Sequence, residues 1–219
     1  MDNQFIEKLK QVFELFTGND YLRPVMKTPF KRDGYYFATD AHSLVYMRDT
    51  IDLGYAENLK APNCLAVIPS ERHEPILIDI FELEEEILGR TPIVDETIDC
   101  YDCDGEGSEE CNLGHSHNCN RCNGTGTVIA KNPKKVLDPT TLYLLLGQCF
   151  LYPRLIKLIK ACKILDCKTV NKVASTAKNR SAIFEDVNVT YLIMPNFDDQ
   201  DEEYSKKPIV LRTGTVQNN

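Results

Sequence analysis

No run of apolar residues in this 219-residue sequence approaches the length of about twenty that a helix needs to cross a bilayer, so no membrane partner is expected. It has no glycine-rich phosphate loop, no His-Glu-x-x-His pair and no nucleophile elbow, and enzymatic activity is therefore not expected. A secretory signal is missing as well: "MDNQFIEKLKQVFELF" has an early acid and helical periodicity, which makes a cytoplasmic location the expectation. Positive charge is scarce in the middle of the chain, where Asp79 to Glu110 holds 13 acidic residues against Arg90 alone. It is abundant afterwards, with 11 basic residues from Lys131 to Arg180 against Asp138 and Asp166. The formal charge of −8 thus hides two segments of opposite sign, which says more about partners than the total does.

What remains is an ordinary globular composition, 42% hydrophobic and 26% charged, long enough for one large domain or one domain with an insertion. Phe5, Ile6, Leu9, Val12, Phe13 and Phe16 recur at three- and four-residue spacing and predict an amphipathic helix over 3–16. The runs "RPVMKTPF", "YYFATD" and "SLVYMR" predict antiparallel strands with a turn at "KRDG", and "NCLAVIP" and "PILIDI" read as further strand pieces. "ELEEEIL" reads as a short helix. Asp138 as N-cap and Pro139 at the first helical position predict a helix over "DPTTLYLLLGQCF". "PRLIKLIKACKIL" continues with one apolar face, Leu155, Ile156, Leu158, Ile159 and Cys162. "KTVNKVAS", "SAIFED" and "VTYLIMP" supply three more strands, and the charged stretch after Phe197 reads as a loosely attached tail. The order helix, strands, insertion, helix, strands is an internal duplication.

Nine cysteines are many for a cytoplasmic chain, and the odd count argues against a complete disulfide framework. Cys64, Cys149, Cys162 and Cys167 stand among apolar neighbours and read as small buried hydrophobes. Cys100, Cys103, Cys119 and Cys122 differ: two Cys-x-x-Cys pairs with 15 residues between them fit the spacing of a structural zinc site. Four thiolates complete a tetrahedron around the ion, and a glycine two positions after each pair lets the chain turn tightly around it. Two disulfides, a redox pair and an iron–sulfur cluster are the alternatives. Cys111, His115 and His117 lie between the pairs, where loop decoration is expected of them and replacing a cysteine or holding a second ion is the alternative. Asp40, His42 and Ser43 look like a catalytic triplet, but three residues so close in sequence hardly converge on one atom, and turn stabilisation is expected of them.

"CYDCDGEG" (100–107) and "CNRCNGTG" (119–126) resemble the CxxCxGxG zinc-binding repeats of DnaJ-type chaperones. The chain has two such repeats where those chaperones have four, and no His-Pro-Asp signature, so co-chaperone activity is not implied. A wider resemblance carries the frame. "LRPVMKTPFKRDGYYFATDAHSLVYMR" (22–48) and "SAIFEDVNVTYLIMPNF" (181–197) resemble stretches of the bacterial replicative sliding clamp, the DNA polymerase III β subunit. Ala41 and Ser43 replace a glycine and an arginine of that family's pattern. The resemblance implies an α+β, DNA-clamp-like domain: a duplicated helix-plus-antiparallel-strands unit interrupted by a small zinc-binding insertion. Its expected segments are 1–70 and 131–197 for the two halves, 71–130 for the acidic insertion with its zinc module at about 98–128, and 198–219 for the tail. It also implies that Arg154, Lys157, Lys160 and Lys163, spaced by three on the basic helix, face double-stranded DNA through its backbone. Family rings contain six such domains, so a one-domain chain that closes a ring is a homo-oligomer. Two functions follow from these readings. One is a non-enzymatic, DNA-associated clamp-like accessory factor; the other is an adaptor that binds peptides or partner proteins through the clamp fold and the zinc loop, without DNA.

Overall fold

The computed structural model describes residues 3–19, 22–110, 115–174, 181–196 and 207–208. In chain order these form α1 (Asn3–Leu15), β1 (Phe30–Arg32), β2 (Tyr35–Thr39), β3 (Ser43–Arg48), β4 (Ile76–Asp79) and α2 (Ile80–Arg90). Six short strands follow: β5 (Ile93–Asp95), β6 (Thr97–Asp99), β7 (Ser108–Glu110), β8 (Ser116–Asn118), β9 (Thr127–Ile129) and β10 (Lys135–Leu137). The chain then continues through β11 (Leu142–Leu145), β12 (Gln148–Leu151), α3 (Tyr152–Ile164), β13 (Thr169–Ala174), β14 (Ala182–Glu185), β15 (Thr190–Ile193) and β16 (Lys207–Pro208). It divides into two compact units, one of Met1–Arg90 with Pro139–Asn219 and one of Thr91–Asp138. The expected insertion limits of 71 and 130 differ from this division. β4 and α2 stay with the first unit because Ile78, Ile80, Leu83 and Ile87 are buried in its core. Lys131 to Leu137 stay with the second because β10 pairs with β5.

A seven-stranded sheet of order β1-β2-β3-β15-β14-β13-β4 carries the first unit. Its two halves, α1 with β1 to β3 and α3 with β13 to β15, meet at the centre, where Leu44 faces Leu192 and Tyr46 faces Thr190. The β1–β2 turn is the "KRDG" element. Asp33 and Gly34 both have positive φ (51° and 77°), as a two-residue type I′ hairpin needs to match strand twist. On one face, α1 buries Leu9, Val12 and Phe13, and α3 buries Leu155, Leu158, Ile159 and Cys162. These pack with Tyr36, Val45, Phe184 and Tyr191 from the sheet. On the other face Phe30, Phe37, Leu44, Tyr46 and Leu192 pack against Ala61 and Cys64 of a covering segment.

Three local expectations change. "RPVMK" and "NCLAV" contain 3₁₀ turns, Pro24–Lys27 and Cys64–Val67, where strands were expected. The helix expected over "DPTTLYLLLGQCF" is a hairpin of β11 and β12, turned by Leu146 and Gly147 at φ 49° and 81°. A short apolar run is compatible with either helix or strand, and the Gly147 turn decides for strand. The next helix starts at Tyr152 with Pro153 in its first turn, where a missing N–H costs nothing. α3 ends in a Schellman motif: the Cys167 N–H reaches the Cys162 carbonyl at 2.8 Å, and Asp166 takes the left-handed position at φ 56°. Within the tail, Lys207–Pro208 pairs in parallel with Tyr143–Leu144 of β11; residues 198–206 and 209–219 lie outside the described ones.

Lys172 on β13 is 3% exposed, and its Nζ donates to the Leu146 carbonyl at 3.3 Å. Burial lowers its pKa to about 8. Because the folded value lies below the unfolded one, the cost of burying the ammonium is complete below pH 8 and disappears as pH rises toward the unfolded value near 10.4. Lys172→Met is therefore expected to raise the thermal midpoint by a few degrees at pH 7, with the gain over wild type shrinking between about pH 8 and pH 10. Paired melts across that range check it; a constant gain, or a loss at pH 7, contradicts it.

Candidate functional site

In the second unit, β6 pairs with β9 and β7 with β8, and Cys100, Cys103, Cys119 and Cys122 are buried together. Their sulfurs all lie within 4.8 Å of one another, with Cys100 to Cys119 and Cys103 to Cys122 each at 3.8 Å. A tetrahedron of thiolates at about 2.3 Å from a zinc ion has sulfur–sulfur edges of about 3.8 Å; two of the six edges have that length and none exceeds 4.8 Å, so the cluster is compatible with such an ion. The repeat in sequence is a repeat in geometry. Cys100 N–H donates to the Gly126 carbonyl and Cys119 N–H to the Gly107 carbonyl, both at 2.8 Å. Gly107 N–H donates to Cys103 Sγ and Gly126 N–H to Cys122 Sγ, both at 3.2 Å.

Glycine is required at these crossings. Gly107 and Gly126 have φ 76°, and a Cβ on them would lie 2.4 Å from the Gly124 carbonyl oxygen and 2.3 Å from that of Gly105. Burial raises the Cys122 thiol, but the N–H of Gly126 and the neighbouring thiols outweigh it and bring the pKa down to about 7, while Cys103 and Cys119 in the same cluster are raised, so the group shares its charge unevenly. His115 and His117 are exposed, His117 lying 3.9 Å from Glu109, and neither joins the cluster; Cys111 lies outside the described residues. Cys119→Ser with Cys122→Ser is expected to abolish stoichiometric zinc in metal analysis, and Gly107→Ala to weaken zinc retention against a chelator although every ligand is kept. Zinc held unchanged by either variant contradicts this geometry.

The second site is an apolar pocket of about 250 Å³ in the first unit, which the sequence did not reveal. Its floor is the outer sheet face at Leu44 and Leu192, and its walls are Met26, the Thr39–Ser43 turn, the covering segment at Pro62, Cys64 and Val67, and Met194. Arg23 and His42 bring polar groups to the lining. Most of these residues come from the two stretches that carry the clamp resemblance, which is the available signal; the Pro62–Val67 wall has none, since its short apolar run fits a strand as well as a 3₁₀ turn. Burial pushes the Cys64 thiol up to about 11, so it behaves as a small apolar wall group.

The turn within this lining is where Asp40, His42 and Ser43 sit. Asp40 Oδ1 accepts from His42 N–H at 2.9 Å, Ser43 N–H at 2.6 Å and Ser43 Oγ at 2.9 Å. Thr39 Oγ1 accepts from Ala41 N–H at 3.1 Å and donates to the Ser43 carbonyl at 2.8 Å. Ser43 thus bonds to Asp40 and not to the His42 ring, and the triplet shapes a turn. Burial raises the Asp40 carboxyl, but the Lys157 ammonium and Ser43 outweigh it and hold it below the usual carboxylate range.

The four cations expected to face DNA are brought onto one helix but into different surroundings. Arg154 is half-buried, with Nη1 donating to the carbonyls of Met194 at 2.7 Å and Pro195 at 3.1 Å. Lys157 forms an ion pair with Asp40, and its side chain is 20% exposed. Lys163 pairs with Glu84 of α2 at 2.8 Å, and Lys160 is exposed. Spacing by three gave one stripe, but it is not uniformly turned to solvent. No helix among the described residues is long and apolar enough to cross a membrane.

Sequence comparison finds no matching family model and no matching curated protein, so the likeness to chaperone zinc repeats rests on the quoted residues alone. Structure comparison finds bacterial clamps. The DNA polymerase III β subunit of Borrelia burgdorferi, solved in complex with a natural product, matches at TM-score 0.51 and 11% identity over 90% of this chain and 63% of that one. The Caulobacter crescentus polymerase III β matches at TM-score 0.50 and 10% identity over 90% and 65%. The Bacillus subtilis sliding clamp gives 0.48 and 13%, over 88% and 62%. The chain thus spans less than two thirds of the length of the clamps it matches. At this identity the likeness is one of architecture: the helices and antiparallel sheet described above have the sliding-clamp fold.

Proposed function

We propose that this protein is a non-enzymatic binding module of the clamp fold that docks short apolar peptide segments of partner proteins in the pocket beside the Thr39–Ser43 turn, while a structural zinc ion shapes its second unit. The observation that carries the reading is the pocket itself: about 250 Å³, floored by Leu44 and Leu192 and walled by Met26 and Met194, with Arg23 and His42 in its lining. An apolar cavity of about 150 Å³ already accommodates a benzene ring, so this one takes one or two side chains. A few placed polar groups beside an apolar hole are what orients an extended segment. Four thiolates close the coordination shell of a zinc ion and leave no position for a reacting water, which supports a structural role.

The chain has four methionines, of which Met26 and Met194 line the pocket and Met47 is buried in the main core. Spectra of protein labelled at the methionine methyls, titrated with blocked hexapeptides carrying two leucine or phenylalanine side chains at varied spacing, are expected to show Met26 and Met194 shifting and Met47 still. If no peptide moves the pocket methyls, or Met47 moves with them, docking at this site fails.

A second reading, association with duplex DNA through α3, is favoured by the exposed Lys160 and by the basic stretch around it. With Lys160 as the sole phosphate contact, the slope of log affinity against log salt is expected near about −0.9, against about −3.6 if all four cations are engaged. A duplex titration at three salt concentrations distinguishes these, and no binding at low salt removes the reading. Ring formation by several copies belongs to the same reading, and a monomeric mass in solution removes that part of it.

A further inference from the structure

The basic residues of α3 and the pocket wall share one set of contacts. Ala41, in the middle of the Thr39–Ser43 turn, has φ 73°, a left-handed conformation that a residue with a Cβ adopts only when its surroundings enforce it. The Asp40 carboxylate enforces it from inside, gathering three donors of His42 and Ser43 on Oδ1. Asp40 Oδ2 is in turn held by Lys157, whose ammonium also lies 5.5 Å from the ring centroid of Phe16, a buried residue at the end of α1. Beside it, Arg154 fixes the chain leaving β15 through the Met194 and Pro195 carbonyls, and its Nη2 lies 3.5 Å from His42 Nδ1. The loop closes because Met194 N–H donates to the His42 carbonyl at 2.9 Å. His42, Ser43 and Met194 line the pocket, so two cations on one helix hold the turn and the Met194 segment that border it.

We propose that Lys157 and Arg154 are positioning residues for the pocket: from α3 they hold the strained Thr39–Ser43 turn and the Met194 segment in the arrangement that leaves the pocket open. The proposal rests on the peptide-docking reading for its purpose. Its geometry concerns the free protein and is tested there first. Arg154 Nη1 donates to two carbonyls and Lys157 is paired with a carboxylate, so both cations have partners within the free protein. A left-handed alanine is the kind of local strain that persists only where several contacts act together, and here these contacts converge on the wall of a cavity.

In methyl spectra of the full chain without ligand, Lys157→Leu is expected to shift or broaden the Met194 and Met26 signals and leave Met47 in place. The same variant is expected to weaken the best hexapeptide roughly tenfold, the scale of one charge-assisted hydrogen bond lost from a partly buried network. Lys157→Arg should restore both readouts. Ala41→Gly added to Lys157→Leu should restore the methyl positions in part, because glycine adopts the turn without being forced. Arg154→Gln, a milder change, should move Met194 more than Met26, which keeps the test valid if Lys157→Leu does not fold. Pocket methyls and peptide affinity unchanged in both single variants, with only the melting point lowered, would overturn the proposal and make the contacts merely structural. So would a failure of Ala41→Gly to change the response to Lys157→Leu. Pocket methyls that respond to the variants in a protein that binds no hexapeptide would leave the positioning intact and remove the docking reading instead.

Discussion

Everything in the first unit depends on the pairing of β3 with β15, where Ser43–Tyr46 meet Thr190–Ile193 from 144 to 150 positions away. Each half is a helix and a three-stranded antiparallel piece, and neither could bury both of its faces alone. Joined, the strands form one twisted layer whose inner face takes α1 and α3 and whose outer face takes the Ala61–Cys64 segment. The pairing is held by register as well as by area. A slip of one residue would turn Val45 and Tyr191 out of the helix-side core and put Leu44 and Leu192 into it. It is a contact of very long sequence separation, so the interrupting segment is tolerable only because it folds on its own terms.

That segment gathers four potential metal ligands where the first unit gathers apolar area. Thr91–Asp138 has strands of only three residues and few buried apolar side chains beyond its cysteines. A unit of that size needs a staple, and its four buried sulfurs, within 4.8 Å of one another, are compatible with a metal ion in that role. Its two knuckles exchange backbone hydrogen bonds across their glycines so closely that a single methyl group would break the crossing. Its sequence holds nine acidic residues against four basic ones.

The helix α3 shows why charge in a sequence is not yet a surface. Arg154, Lys157, Lys160 and Lys163 form a regular stripe, which the sequence pattern places opposite Leu155, Leu158 and Ile159. In the folded chain Lys163 is answered by Glu84, Lys157 by Asp40 and Arg154 by two carbonyls, each from a different element. No periodicity within the helix could reveal these partners, since they lie between 40 and 117 positions away. The same contacts join the stripe to the turn and the Met194 segment that line the pocket.

The sequence by itself determined the local and covalent features. They include α1 and α3 from apolar periodicity, the Asp33-Gly34 turn from its residue types, and the thiol cluster from paired cysteines followed by glycines, because each of these depends on neighbours within a few positions or on ligand chemistry that few residues can supply. It also conveyed the clamp fold through two stretches that turned out to pair with each other. Tertiary structure decided the rest. "TTLYLLLGQCF" is a hairpin because β11 buries Tyr143 and Leu145 in the core and Leu146-Gly147 closes a tight turn, although its apolar run also suited a helix. The pocket exists because segments around residues 26, 42, 64 and 194 converge on one sheet face. Convergence of that kind is settled by which long-range strand pairing buries the most apolar surface in register, and no short window of sequence contains both sides of that comparison.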